Sequence, residues 1–204
     1  MPKETFLNLP QAKREKIINA AIAEFADSPY ERASLSRIVA DAGIAKGSMY
    51  QYFENKRELY LYIMDLVYQK KKSFLQDVFI DSSDFFAVLK KYYKKSYLFA
   101  VEYPLYHKII NYYWEYYHEE FEQEIKESKD LREADFIRML NDAVKSGQVN
   151  KKASPKVAFF VYHSVGKELI DNFLHLPTDD TGKHLQFIEA VLDILAEGLQ
   201  VRKE

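Results

Sequence analysis

Ser34-Leu35-Ser36-Arg37-Ile38-Val39-Ala40-Asp41-Ala42-Gly43-Ile44-Ala45-Lys46-Gly47-Ser48-Met49-Tyr50-Gln51-Tyr52-Phe53-Glu54-Asn55-Lys56-Arg57 decides how the rest of this 204-residue chain is read. Leu35, Ile38, Val39 and Ala42 fall at i, i+3, i+4 and i+7, the apolar stripe of a short amphipathic helix. Gly43 comes immediately after, where a helix needs a residue that tolerates positive φ in order to stop and turn. Ile44 plugs the turn into a core, and a second short helix starts near Ala45 or Lys46. Met49 and Phe53 lie one turn apart on its inner face, leaving Lys46, Ser48, Tyr50, Gln51 and Tyr52 on the other. Two short helices joined by a Gly-containing turn form the helix-turn-helix unit, whose second helix enters the DNA major groove.

The outer-face chemistry suits that task. Lys46 and Ser48 can bond phosphate or base edges, and Gln51 carries the paired donor and acceptor that read adenine. Gly47 costs roughly 1 kcal/mol in a helix interior relative to Ala. Something local should therefore require it, either close approach of the first helix or close approach of a DNA backbone. The bland alternative is a helical hairpin of a larger bundle whose polar face is merely solvated.

The run from Ala42 to Leu59 resembles the signature that closes the DNA-binding domain of the TetR family of bacterial transcriptional regulators, A-G-V-S-x-G-x-L-Y-x-Y-F-x-x-K-x-x-L. Ala45 departs from it where the family often has Ser or Thr, which removes a helix cap typically worth about 1 kcal/mol or a phosphate contact. The resemblance implies an operator-binding function and DNA contacts at Lys46, Gly47, Ser48, Tyr50, Gln51 and Tyr52.

Upstream, Asn8 with Gln11 three residues later and Pro10 in the first turn read as a helix start. Ile18, Ala21, Ile22 and Phe25 form its apolar stripe, and Asp27-Ser28-Pro29 ends it. The result is a three-helix DNA-binding domain over residues 8–55. Some 50 residues bury too little surface to be comfortable alone, so the domain should lean on the helices C-terminal to it. Downstream, Leu59, Tyr62, Ile63, Leu66 and Val67 stripe a fourth helix. Lys56 sits in its first turn, where N–H groups and the positive end of the dipole favour a phosphate. Ser34 reads as an N-cap, a phosphate donor, or both.

The region 56–204 continues as helices. Asp81-Ser82-Ser83-Asp84 caps one that runs to about Val101, and Glu102-Tyr103-Pro104 opens another. Ser146-Gly147 ends the next stretch. Ser154-Pro155 starts a helix that reaches about Leu174, and a last one spans about Thr181 to Val201. No strand-like alternation intervenes, so the expected fold is all-α. The last two helices carry more apolar surface than one stripe, which requires a second buried side. By the resemblance they pair with their copies in a homodimer, with Phe160, Val165, Leu169, Phe173, Ile188, Leu192 and Leu195 at the interface. Two recognition helices about 34–36 Å apart then read a near-palindrome.

Residues 92–121 hold 12 of the chain's 31 aromatic side chains. The resemblance places a small-molecule effector pocket in this region, with Tyr93, Tyr97, Tyr103, Tyr106, Tyr113, Trp114 and Tyr117 as candidates. Tyrosine combines apolar contact with a hydroxyl that orients a ligand. A largely apolar effector is expected, or a lipophilic cation held by ring faces with Glu102 or Glu115. The alternative is a regulator controlled by a protein partner, with the aromatics as core alone. Since adjacent tyrosines cannot all point inward, about half should be core or surface in any case.

Glu115, His118, Glu119 and Glu122 mimic a metal face, but the second Glu-x-x-His of a di-iron bundle is missing, so neither metal nor cofactor is expected. Enzyme motifs are absent. The chain has no Cys and a net charge of −2, with nothing resembling a signal core or a membrane span, so a cytoplasmic protein is expected. Charge is not evenly spread. Residues 1–72 hold 12 Lys+Arg against 9 Asp+Glu and the remainder 17 against 22, the sign expected if the N-terminal part alone meets phosphate.

Overall fold

Punctuation residues set the helix boundaries. Gly43 and Gly147 both take positive φ, 65° and 81°, and each closes a helix in the same way. Ile44 N–H donates to Val39 O at 3.0 Å and Gly43 N–H to Ala40 O at 3.1 Å, while Gln148 N–H donates to Ala143 O at 2.9 Å and Gly147 N–H to Val144 O at 3.2 Å. These are paired Schellman bonds that satisfy the last free carbonyls. Asp84 Oδ1 accepts from Phe86 N–H (2.9 Å) and Ala87 N–H (3.1 Å), an N-cap for the helix beginning at Phe85.

The computed structural model describes residues 2–79, 84–116, 121–174 and 180–199. The helices are α1 Glu4–Leu7, α2 Gln11–Asp27, α3 Leu35–Asp41, α4 Lys46–Tyr52, α5 Lys56–Phe74, α6 Phe85–Glu102, α7 Pro104–Glu115, α8 Glu122–Lys145, α9 Pro155–Leu174 and α10 Thr181–Leu199. One turn of 3-10 helix, Gln76–Phe79, lies between α5 and α6. No strand occurs among the described residues, as an all-α fold requires. Tyr117, His118, Glu119, Asp81–Ser83 and the expected end of the last helix at Val201 lie outside the described residues. Among the described residues no helix is long and apolar enough to cross a membrane.

One start differs from the sequence reading. Asn8 does not open the first long helix; it ends the four-residue α1, its N–H donating to Glu4 O at 2.9 Å. α2 begins at Gln11 behind Pro10, without a side-chain cap.

Contacts divide the chain into two compact units. The first holds α1 to α4, α5 as far as Ser73, and α7; the second holds the 3-10 turn, α6, α8, α9 and α10. In the first unit α7 packs along α2 and supplies the extra burial that a three-helix domain lacks. Its core includes Phe6, Ile17, Phe25, Ile38, Met49, Phe53, Leu59, Tyr60 and Ile63, all at most 2% exposed. Ile17, rather than Ile18, occupies the core position of α2.

The second unit closes around Tyr97, Leu140, Tyr162, Ile188 and Leu192. This corrects three residues expected at a subunit interface. Ile188 (0% exposed), Leu192 (1%) and Phe173 (9%) are buried within their own chain. Ile188, Leu192 and Ala196 form an i, i+4, i+8 row that α6 covers, so the free apolar side of α10 is the one bearing Phe187 and Ile194. Val165, Leu169 and Leu195 are half-buried. Phe160, at 69% exposed, keeps its expected outward position, beside Val157 on the same face of α9.

Tyr93 of α6 lies directly on Gly166 of α9. A Cβ on Gly166 would fall 1.8 Å from Tyr93 Cε1, and the Tyr93 hydroxyl donates to Tyr162 O at 2.7 Å. Gly166→Ala therefore forces the ring off its seat, and overpacking of this kind costs about 1–3 kcal/mol. Thermal or urea unfolding should show that loss, whereas Gly198→Ala, whose added Cβ has open space, should not.

Candidate nucleic-acid interface

α3 starts at Ser34, whose extended backbone and side chain form the N-cap, with Arg37 N–H reaching Ser34 Oγ at a long 3.4 Å. A stronger fixture comes from α2. Glu24 is 6% exposed; its Oε1 accepts from Ser34 N–H at 2.6 Å and Arg37 Nη2 at 2.5 Å, and its Oε2 accepts from Arg37 Nε at 2.8 Å. Burial pushes the Glu24 carboxyl up, but the Arg37 fork and the Ser34 N–H, helped by Lys56, outweigh it and leave the group below its ordinary value. A buried carboxylate is tolerable when paired and bonded in this way.

The Gly43 turn then delivers α4. Met49 (2% exposed), Tyr52 (5%) and Phe53 (1%) face inward. Lys46, Gly47, Tyr50 and Gln51 are exposed and Ser48 is half-buried. Tyr52 was expected on the outward face; the structure corrects this. It lies one turn after Met49, on the same side, and packs against Phe6 of α1 with ring centroids 6.0 Å apart. Ala45 provides no side-chain cap, so the first N–H groups of α4 have no side-chain acceptor at the cap position.

Gly47 is informative because no close contact or backbone angle among the described residues requires it. An added Cβ would meet no atom within 4 Å, and its φ is not positive. Close approach by the first helix of the pair, one of the two reasons expected from sequence, is thereby excluded.

Sequence reasoning missed the N-terminal segment. Lys3 N–H donates to Tyr52 O at 2.9 Å and Lys3 Nζ to Tyr50 O at 2.9 Å; the Thr5 hydroxyl bonds Gln51 O. Three carbonyls at the end of α4 are thus occupied from one short stretch of chain. The only sequence signal was Phe6 beside a hydroxyl residue, in a segment too short to show a period. Lys56, expected to meet a phosphate, has its ammonium donating to Tyr30 O (2.7 Å), Ala33 O (3.2 Å) and Glu31 O (3.3 Å). The start of α5 is closed by Asn55, whose Oδ1 accepts from Glu58 N–H at 2.9 Å, and by Glu58, whose Oε2 accepts from Glu54 N–H at 3.0 Å.

The sequence profile of the tetR family of bacterial regulatory proteins matches residues 17–63. Two Bacillus subtilis (strain 168) proteins are similar over part of the chain. One, the uncharacterized HTH-type transcriptional regulator YvdT, is 42% identical over 59 residues, 29% of this chain and 28% of YvdT. The other, the fatty acid metabolism regulator protein, is 33% identical over 64 residues, 31% of each chain. The alignments thus span under a third of those two relatives. A TetR family transcriptional regulator from Chloroflexus aurantiacus J-10-FL is similar throughout: 30% identity over 99% of this chain and 100% of that one, with a TM-score of 0.80. The chain belongs to the TetR family.

As a TetR-family chain it is a DNA-binding transcriptional regulator of helix-turn-helix type. FadR from Bacillus subtilis in complex with stearoyl-CoA shares the fold at 19% identity, with a TM-score of 0.72 over 90% of this chain and 98% of that one. In the second unit of this TetR-family protein a cleft of about 200 Å³ opens between α6, α8 and α9, lined by Val88, Leu89, Tyr92, Tyr93, Asp135, Phe136, Met139, Phe159 and His163. Of the seven aromatics expected at a pocket, Tyr93 lines it. Tyr97 is fully buried, its hydroxyl sharing a 2.7 Å bond with His184 Nδ1. Tyr103, Tyr106, Tyr113 and Trp114 belong to the first unit, where Tyr113 is buried and the other three are half-buried. Phe136, Phe159 and His163 also line the cleft and were not singled out from the sequence as pocket residues.

Because the folded-state Glu24 is depressed, its contribution is present above the ordinary value of 4.5 and is lost as pH falls below it through the folded value. Glu24→Gln should therefore flatten the loss of stability below about pH 4.5. Arg37→Ala leaves the buried carboxylate without its fork. It should lower the urea midpoint near neutral pH, and the deficit should shrink as acid protonates Glu24.

Proposed function

We propose that this TetR-family regulator is a homodimeric repressor that holds a near-palindromic operator through α4 and releases it when a small, largely apolar effector binds. In this reading residues 8–55 supply the DNA contacts and residues 56–204 dimerise and take the effector. The observation that carries it is the α4 surface: Lys46, Gly47, Tyr50 and Gln51 exposed, with Ser48 at their edge, on a helix whose other side is locked into the core. Gln51 is the residue that reads a base, and Lys46, Ser48 and the Ser34 hydroxyl are phosphate ligands.

The outward apolar face of α9 and α10 supports dimerisation. Val157 is 59% exposed, Phe160 69%, Phe187 55% and Ile194 68%. Large apolar side chains grouped at this exposure mark an interaction surface. Release of the operator is then a matter of linkage: an effector that prefers a conformer with wrongly spaced recognition helices lowers DNA affinity by the same factor that DNA lowers its own. The α6–α8–α9 cleft is the candidate effector site, apolar on most sides with Asp135 and His163 at polar positions. FadR of Bacillus subtilis, with its bound stearoyl-CoA, makes fatty acyl compounds the first to try.

Selection of bound sequences from a random duplex pool, then release with acyl compounds, tests the reading. A two-fold-related consensus is expected; no enrichment at low salt would overturn it. Gly47→Ala sharpens the test, because it should raise folding stability by up to about 1 kcal/mol while weakening binding to the selected site, if a DNA backbone is what approaches there. Phe160→Glu combined with Ile194→Glu should yield a folded monomer by sedimentation, with operator affinity lost alongside.

A further inference from the structure

Lys56 opens α5, yet its ammonium serves the loop between α2 and α3. Beyond the three carbonyls of Tyr30, Glu31 and Ala33, it lies 4.3 Å from the centroid of the Tyr30 ring. An ammonium has three N–H donors, and here each has an acceptor. The loop is a tight turn in its own right, Arg32 N–H and Ala33 N–H both donating to Pro29 O at 3.0 Å. Its far end is Ser34, whose N–H is held by Glu24. The start of α3 is therefore pinned between a carboxylate carried by α2 and a cation carried by α5.

We infer that Lys56 is a positioning residue for DNA binding, acting through the 30–33 loop to fix where α3 begins and hence how α4 is presented, rather than by touching a phosphate. The chemistry favours lysine for this. Three carbonyls converging on one point match a compact ammonium with rotatable donors, whereas a guanidinium spreads its donors over a planar fork. The inference rests on the operator-binding reading for its functional half; the cage itself does not.

Lys56→Arg and Lys56→Met in the full chain separate the roles. Amide exchange at residues 33–38 should quicken in both variants while amides of α9 stay protected. Both should weaken binding to the selected operator by roughly tenfold, the worth of one charge-assisted bond, with the salt dependence of binding unchanged. If Lys56→Arg binds like the native protein while Lys56→Met lowers the salt slope by about one, Lys56 is a phosphate ligand and the inference fails. It fails equally if exchange quickens but affinity well below the melting temperature does not move. Should the native protein select no operator, the operator-binding reading fails by itself, and exchange still reports whether the cage exists.

Discussion

A helix of seven residues cannot hold itself together in water, where even 12–15 residues are marginal. α4 exists because other elements supply what its own hydrogen bonds do not. Met49, Tyr52 and Phe53 anchor it, and a fully buried side chain of that size is worth about 1.5–3 kcal/mol. Lys3 and Thr5 take its last carbonyls. The Gly43 turn and the Glu24–Arg37 pair set the helix before it. The exposed polar face of α4 is fixed in place because the opposite face is so thoroughly committed.

Helix boundaries were largely legible, because they are local chemistry. Gly43, Gly147, Pro104, Pro155 and Asp84 act on their own neighbours, and each stands where the sequence reading put it. Tyr52 was misplaced for the opposite reason. Its burial depends on Phe6, and a four-residue helix carries no period by which α1 would announce itself. Lys56 read from sequence as a phosphate contact; its carbonyl partners lie 23 to 26 residues away and leave no trace in local pattern. On α10 the apolar residues outnumber one stripe, so sorting Ile188 and Leu192 from Phe187 and Ile194 needed α6 in place.

The tyrosines of the second unit show how one residue type divides its tasks. Tyr97 is a core residue whose hydroxyl is satisfied by His184, itself stacked on Phe173 at 4.4 Å; burial pushes its pKa up. Tyr162 is 2% exposed and its hydroxyl has no hydrogen-bond partner among the described residues, so burial alone drives its pKa up. Tyr92 stays half-buried at the cleft, ring to ring with Tyr93 at 5.2 Å. A count of aromatics signalled a rich interior; which ring does what depends on partners far along the chain, 87 residues away for Tyr97 and His184.

Tyr93 joins two of these roles in one side chain. It forms part of the wall of the α6–α8–α9 cleft, and its ring rests on the bare backbone of Gly166, with its hydroxyl tethered to the same helix. α9 carries Phe160 and Val157 on its outer side. A guest pressing on that ring has no soft side chain to deform behind it and must push main chain. In the proposed function, such a guest would shift α9 as a body, and with it the apolar side chains on that helix's far side.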